Sequence, residues 1–397
     1  MISQLPKWRK PTVKCEVFYA SSGHRFIQIV HKSTGGRKLK KKVYHREHEL
    51  DRVMELRKKP ELIMQLKSII QLRKTESLLL RDLEKEVGFV KKWNYMAVIE
   101  KYPSIFRVTG GQSERSPPAV SLSEKAKKIA ALEGSVMVQM EPILVRNLRK
   151  LLMLSVDCRL PLEKIEMIRS ELGLPSDFKN SLILKYPIFF KLSDFNGVSY
   201  LQLENWDSSL AVTSREERLA RQEISTSCGH LHRATVSKDG NFIGPYAFHL
   251  NFPAGFRPNM SYLEEVRRWQ KLDFPSPYLN ARRFEAADAK ARKRAVAVLH
   301  EFLSLTIEKR LDTGQLDAFH AEYRLPARLL LCLIKHHGIF YITNKGGPST
   351  VFLKEAYDGS NLIDKYPLIG FRDKFVALMG RKDESLDAGA STSSAVN

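Results

Sequence analysis

Basic and aromatic side chains stand next to each other at several points of this 397-residue chain. Residues 91–93 read Lys-Lys-Trp, and residues 267–269 read Arg-Arg-Trp. Lysine and arginine neutralise phosphates, whereas exposed rings and guanidinium planes stack on unpaired bases. The combination predicts binding of a polyanion that also carries flat rings.

The candidate contact residues are basic or aromatic and lie in or beside the charged clusters. They are Lys91, Lys92, Trp93, Lys101, Tyr102, Arg107, Arg146, Arg149, Lys150, Lys185, Tyr186, Lys191, Arg267, Arg268, Arg282, Arg283, Arg292, Lys293 and Arg294. Each cluster can alternatively be an ordinary solvated helix face. The two tyrosines can alternatively pack at helix ends rather than stack on bases.

One cluster has helical spacing. Arg146, Arg149 and Lys150 fall at i, i+3 and i+4, so they share one face of a helix, and the neighbouring leucines point elsewhere. A helix with one basic and one apolar face is suited to facing a nucleic-acid groove or a row of phosphates. We therefore expect all three basic side chains to face outward.

The charge is strong and uneven. The formal net charge is +21, and residues 1–46 hold twelve basic residues and one acidic residue. A net charge of this size favours polyanion binding. An acid-poor basic start resembles an organelle transit peptide, and its modest Ser/Thr content favours the mitochondrion over the chloroplast. A disordered basic arm, or a nuclear signal at 38–42, is the alternative.

Composition narrows the class of protein further. Hydrophobic residues make up 43% of the chain, enough for a sizeable core, and the length suits two or three domains. No apolar run is long enough to span a membrane. The four cysteines lie far apart, which favours a reducing compartment without disulfides. Residues 381–397 are rich in Ser and Ala and are predicted to be disordered.

The candidate residues lie around an internal repeat. Lys-Tyr-Pro-Ser-Ile-Phe-Arg-Val at 101–108 returns as Lys-Tyr-Pro-Ile-Phe-Phe-Lys-Leu at 185–192, and more weakly as Lys-His-His-Gly-Ile-Phe-Tyr-Ile at 335–342. Proline disfavours helix at the residue before it. The octapeptide is therefore predicted to end a helix and to begin a hairpin whose phenylalanine enters the core.

Two helices and a β-hairpin are predicted around each copy. The units span about 78–133, 142–224 and 316–357, with an insertion at 228–300. Leu78 to Val87 is predicted as a helix, Asn196-Gly197 as a type I′ turn, and Ser121/Glu124 and Ser214/Glu217 as capping boxes. The predicted fold class is α+β, mostly helical, with three repeated winged-helix-like units.

Motifs of common enzymes are missing. Residues 228–232 read Cys-Gly-His-Leu-His, but a structural zinc site needs four ligands, and no second pair has suitable spacing. His48-Glu49 is followed by Arg52 where a zinc peptidase has its second histidine, and no phosphate-binding glycine loop occurs. We expect no enzyme activity, no cofactor and no metal.

Several motifs together resemble the plant organelle RNA recognition (PORR) family. These are the Lys-Tyr-Pro blocks, Trp93-Asn94-Tyr95, the Leu-Pro-x-Asp-Phe entry at 174–178 and the loop Phe252–Pro258, within residues 47–380. The resemblance implies an imported mitochondrial or chloroplast protein that binds group II intron RNA and promotes splicing without catalysing it. It also implies a maturase and other splicing factors as possible partners. His336-His337 departs from the pattern in the third copy.

Two other functions fit the same residues. A DNA-binding winged-helix protein would have the same order of elements, and a ribosome-associated or scaffold protein would have the same charge. The sequence indicates no oligomeric state.

Overall fold

A computed structural model describes residues 46–110, 117–218, 235–236, 242–243, 259–261, 264, 275–285, 288–345 and 348–380. Predictions for residues 1–45, for most of the insertion and for the tail from 381 lie outside these residues. The described chain is α+β and combines helices with small antiparallel sheets. The predicted fold class is confirmed at that level.

The α-helices differ widely in length. Those that lie wholly within the described residues are α1 (His48–Gln71), α2 (Leu83–Val87), α3 (Phe89–Lys101), α4 (Glu124–Ala130), α5 (Glu133–Leu154), α6 (Leu162–Met167), α7 (Arg169–Leu172), α8 (Ala289–Leu305), α9 (Thr313–Ala318), α10 (His320–Tyr323), α11 (Leu329–Lys335) and α12 (Pro367–Ala377). A single π-helical turn, Lys179–Ile183, lies where the second helix of the predicted unit 142–224 was expected.

The strands are short. They are β1 (Ser77–Leu79), β2 (Phe106–Thr109), β3 (Ala119–Leu122), β4 (Arg159–Pro161), β5 (Phe190–Phe195), β6 (Val198–Leu203), β7 (Thr235–Val236), β8 (Phe242–Ile243), β9 (Arg310–Asp312), β10 (Phe340–Thr343), β11 (Thr350–Leu353), β12 (Tyr357–Asp358) and β13 (Asn361–Leu362).

Three of the sheets have the same strand order. The first sheet runs β1-β3-β2, the second β4-β6-β5 and the third β9-β11-β10. In each sheet a short strand that precedes the hairpin in the chain, here called the early strand (β1, β4 or β9), pairs with the second strand of that hairpin. The hairpins were predicted, but the early strands were not. The prediction of a helix from Leu78 is wrong, because Leu78 lies in β1 and the helix begins at Leu83.

The backbone enters each early strand in the same way. The residue directly before it has a left-handed conformation, with φ of +47° at Glu76, +52° at Cys158 and +52° at Lys309. Such a conformation is uncommon outside glycine. Its recurrence at three corresponding places shows that the three segments share local geometry as well as strand order.

The octapeptide repeat has one backbone structure in all three copies. The carbonyls of Tyr102, Tyr186 and His336 each accept hydrogen bonds from the N–H groups three and four residues later, at 2.9–3.1 Å. The phenylalanines at the sixth place, Phe106, Phe190 and Phe340, are buried. The predicted role as a helix end and hairpin start is confirmed. His336 serves as well as Tyr-Pro because the bonds use backbone groups.

The hairpin turn was predicted correctly and the helix caps were not. Asn196 and Gly197 have φ of +50° and +75°, as a type I′ turn requires. Ser123, not Ser121, caps α4 by accepting the N–H of Ala126 at 3.2 Å. At 213–216 the reciprocal pair is Thr213 and Glu216, one residue earlier than predicted.

Helix α1 joins the first and third sheets. Its N-terminal half covers the third sheet, where the Asp51 carboxylate accepts hydrogen bonds from the hydroxyls of Tyr341, at 2.8 Å, and Thr343. Its C-terminal half packs against α3 and the first sheet, and the Tyr95 hydroxyl donates to Gln65 at 2.6 Å. Helix α1 thus covers the face of the third sheet that carries Tyr341 and Thr343, opposite the face that carries Phe340.

Gly173, at the end of α7, offers a test of the packing between segments. Its φ is +76°, and an added Cβ would lie 2.9 Å from Ile307 Cγ2 and 3.3 Å from Leu368 Cδ2. We expect Gly173→Ala to lower the free energy of unfolding by about 2–3 kcal/mol, through backbone strain and overpacking together. Urea unfolding measures the difference.

Gly197→Ala is the matched control for Gly173→Ala. Its φ is +75°, but no atom lies within 4 Å of the added Cβ. Only the backbone cost of about 1 kcal/mol applies there. Equal losses in the two variants would contradict the close approach of Ile307.

Candidate nucleic-acid interface

The predicted basic face of α5 does not point into solvent at Lys150. Its side chain is buried, with Nζ 3.0 Å from Glu301 Oε1, 3.3 Å from Glu217 Oε1 and 2.7 Å from the Val212 carbonyl, to which it donates. Glu301, on α8, is fully buried as well. The prediction of a nucleic-acid contact is wrong for Lys150, because its charge is enclosed and neutralised inside the protein.

Arg146 and Arg149 lie at the edge of the same cluster. Arg146 forms an ion pair with Glu217, and Arg149 forms one with Asp207 at 3.1 Å. The Arg149 guanidinium also lies 4.1 Å from the ring centroid of Phe189. Burial would raise the pKa of Glu217, but Arg146 and Lys150 hold it below its ordinary value. These arginines anchor the segment after β6 to α5.

The basic residues at the start of α8 are also divided between solvent and the protein interior. Arg292 is exposed, whereas Lys293 and Arg294 are buried. Arg294 donates to the carbonyls of Leu279, Pro277 and Tyr323 at 2.8, 3.0 and 3.3 Å, and burial lowers its pKa to about 10. The prediction of nucleic-acid contacts is therefore wrong for Lys293 and Arg294, which face the interior.

Among the candidate rings, Trp93 alone is largely open, with 65% of its surface exposed. Tyr102 is buried, so the alternative of packing at a helix end holds for it. Tyr186 is half-buried, and its hydroxyl donates to Glu141, which also pairs with Lys185. Both tyrosines thus support the helix-to-hairpin turn.

Exposed candidates remain on several elements. Lys101, Arg107, Lys185, Lys191, Arg282, Arg283 and Arg292 are exposed, and Lys92 is half-buried, 3.0 Å from Glu84. Lys191 lies 3.7 Å from Glu204, and Arg282 lies 2.7 Å from Asp157. The side chain of Lys91 and the whole of Arg267 and Arg268 lie outside the described structure.

Two of these cations occupy corresponding places on two sheets. Arg107 is the second residue of β2 and Lys191 the second residue of β5, and each follows a buried phenylalanine, so each points away from the core. Tyr341 holds this place in the third sheet, where Asp51 of α1 covers it. The first and second sheets therefore present a basic side chain on an open face, and the third does not.

Sequence reasoning missed three residues beside Lys191. Arg159, Phe195 and Tyr200 lie on the same face of the second sheet. The alternation of strand β5 could have placed Phe195 with Lys191, since residues i and i+4 of a strand share a face. Arg159 could not be found, because its three-residue strand was not predicted.

Two further observations concern the described residues only. None of their helices is long and apolar enough to cross a membrane. No group of three or more His, Cys, Asp or Glu in this part of the chain is placed to hold a metal ion. The Cys-Gly-His-Leu-His segment at 228–232 lies outside it.

The model of the plant organelle RNA recognition domain matches residues 45–384. The chain belongs to this family. The predicted resemblance is confirmed over nearly the whole described chain.

Individual relatives are similar over most of the chain. Protein WHAT'S THIS FACTOR 1 homolog, chloroplastic, of Arabidopsis thaliana is 31% identical over 342 residues, 84% of this chain and 62% of that protein. Protein ROOT PRIMORDIUM DEFECTIVE 1 of the same plant is 30% identical, over 86% of this chain and 85% of that protein. Protein WHAT'S THIS FACTOR 9, mitochondrial, also of Arabidopsis thaliana, is 27% identical, over 71% and 69%.

The coverage is uneven. The chain spans 62–66% of the length of three chloroplastic WHAT'S THIS FACTOR 1 proteins from Arabidopsis thaliana, Oryza sativa and Zea mays. No solved structure matches the chain significantly.

Proposed function

We propose that the protein binds RNA in a plant organelle and promotes the splicing of group II introns without catalysing it. The match of the plant organelle RNA recognition domain to residues 45–384 carries this proposal. The net charge of +21 and the exposed cations on the first and second sheets support it.

The physical contribution of such a protein is electrostatic and steric. Neutralising phosphates lowers the cost of bringing segments of RNA together, and a rigid surface holds unpaired segments in place. The proposed contacts are the exposed candidates, with Trp93 as a ring open to stacking. The three segments, each a long helix, a short strand, further helical turns and a hairpin, act as related winged-helix-like units.

The organelle and the partners belong to the same proposal. The acid-poor start of the chain suits import, and its modest Ser/Thr content favours the mitochondrion. The names of three of the relatives favour the chloroplast, and that of one favours the mitochondrion. In this proposal the protein binds the intron RNA without catalysing its splicing, so it acts together with the intron and with a maturase or other splicing factors.

Immunoprecipitation from plant organelles, followed by sequencing of bound transcripts, tests the proposal. We expect intron-containing precursors to be enriched, and we expect plants that lack the protein to accumulate unspliced precursor. Complementation with Lys101→Glu/Arg107→Glu should leave splicing impaired. Lys58→Glu/Lys59→Glu changes two exposed lysines of α1 that are not proposed contacts, and it should restore splicing.

Two outcomes would contradict the proposal. Normal intron removal in plants without the protein would favour a scaffold or ribosome-associated role. A preference for duplex DNA over single-stranded RNA in direct competition would favour a DNA-binding winged-helix protein.

A further inference from the structure

We propose that one face of the second sheet stacks unpaired bases of single-stranded RNA. This second-sheet open face consists of Arg159 of β4, Lys191 and Phe195 of β5 and Tyr200 of β6. The proposal rests on the proposed RNA-binding function and adds to it a location and a class of ligand, unpaired nucleotides.

The strand register places these residues on one side of the sheet. Arg159 and Lys191 both stand opposite Gln202, and Phe195 stands opposite Val198, two residues before Tyr200. The other side of the sheet carries Leu160, Phe190 and Leu201, which are buried. Successive residues of a strand alternate between faces. One face therefore forms core, and the second-sheet open face points outward.

Rings and a guanidinium meet on this face. The guanidinium carbon of Arg159 lies 5.6 Å from the ring centroid of Phe195 and 5.2 Å from that of Tyr200. Contacts at this distance hold the arginine over the rings. Phe195 nevertheless keeps 54% of its surface exposed at the tip of the hairpin. The arrangement holds the arginine and the rings in fixed positions, and it leaves about half of the Phe195 surface open to a further flat group.

Positive charge flanks the rings. Asp157 lies between two arginines, 2.7 Å from Arg282 and 3.8 Å from Arg159, so one carboxylate orients both. Arg283 follows Arg282 in a 3-10 turn and is exposed. Lys191 stands on the sheet itself, loosely paired with Glu204. The cations outnumber the acidic groups they contact, so the surroundings of the rings suit an anion.

These features match unpaired nucleotides better than a duplex. A single strand offers a ring face from each base and a phosphate beside it, whereas a duplex covers its base faces. The open side of the first sheet carries Arg107, Thr109 and Ser121 but no ring, and α1 closes the third sheet. Among the three sheets, the second is the one that joins rings with charge on an open face.

Phe195→Leu tests the stacking, since it keeps an apolar side chain and removes the ring. The probe is a fluorescein-labelled single-stranded RNA of 12 nucleotides of mixed sequence, followed by fluorescence anisotropy. We expect the affinity to fall about tenfold, in the lower half of the range for loss of one base–ring stack, because leucine keeps part of the apolar contact. Arg159→Lys keeps the charge and removes the flat guanidinium, and it should weaken binding about threefold.

A sugar–phosphate oligomer of the same length without bases separates stacking from every other role. Wild type and Phe195→Leu should bind it equally. Leu330→Ala, which alters another exposed apolar side chain, should bind both probes within twofold of wild type. Equal urea midpoints for all variants show that the fold is intact.

The outcomes distinguish this site from the proposed function. If wild type binds neither the 12-nucleotide RNA nor the sugar–phosphate oligomer, the RNA-binding function itself is wrong. If wild type binds RNA and Phe195→Leu binds it equally well, or loses affinity equally for both probes, the stacking site is wrong and the function stands.

Discussion

Raising the salt concentration fourfold is expected to weaken binding of single-stranded RNA about 300-fold, if six basic side chains contact phosphates. Each contact releases condensed counterions, and the logarithm of affinity falls by about 0.7 per contact for each tenfold rise in salt. The described structure offers enough exposed candidates for this number, among them Lys101, Arg107 and Lys191. Anisotropy titrations from 50 to 200 mM KCl with the 12-nucleotide RNA give the slope.

Two variants separate charge from stacking in that titration. Arg107→Ala should make the slope shallower by about 0.7, because one phosphate contact is lost. Phe195→Leu should weaken binding at every salt concentration and leave the slope unchanged, because stacking releases few ions. A wild-type slope near zero would show that the positive charge serves another purpose.

Replacing Lys150 by methionine is expected to lower the free energy of unfolding by about 3–5 kcal/mol, because Glu301 would stay buried without its positive partner. Glu301 would still accept hydrogen bonds from the Tyr278 hydroxyl, at 2.8 Å, and the Ser214 N–H, at 2.8 Å. Neutral donors do not offset a carboxylate charge removed from water. Urea unfolding followed by circular dichroism measures the loss.

Arg146→Met is the matched control, one helical turn earlier on α5. Arg146 is part-exposed, so its pair with Glu217 is worth about 1 kcal/mol or less. The double variant Lys150→Met/Glu301→Gln removes both buried charges and keeps an acceptor for Ser214, and it should recover at least half of the loss. If Lys150→Met costs no more than Arg146→Met, the buried ion pair is not what holds α5 to α8.

The octapeptide shows what sequence could predict. A proline or a polar pair ends the helix, and the aliphatic residue and phenylalanine that follow begin the hairpin. The hydrogen bonds of this turn span only three or four residues, so the local sequence is enough to predict it. The same holds for Asn196-Gly197, whose turn type depends on two residues. Local features of this kind were predicted correctly because the residues that decide them are neighbours.

The burial of Lys150 could not be predicted from its neighbours in the sequence. Helical spacing reveals which side chains share a face, but not what covers it. The partner of Lys150, Glu301, lies 151 residues further on, in α8, and the residue pattern of that helix does not indicate that a glutamate is buried. Strands β1, β4 and β9 were missed for a related reason. Three residues are too few to show alternation, and each pairs with a strand about 40 residues away.

The cover of the third sheet by α1 has a consequence for how the chain folds. Asp51 bonds to Tyr341 and Thr343, 290 and 292 residues away, so α1 completes its contacts only with the hairpin β10–β11. Contacts of such sequence separation are slow to form, because a long loop must close before they gain any stability. A chain that emerges N-terminus first therefore holds α1 half-packed until residues 340–353 arrive. Proteolytic trimming that passes Glu47 would remove, in addition, the partner of Lys354 and begin to uncover the sheet. Helix α1, the first helix of the described chain to be made, is thus among the last to complete its packing.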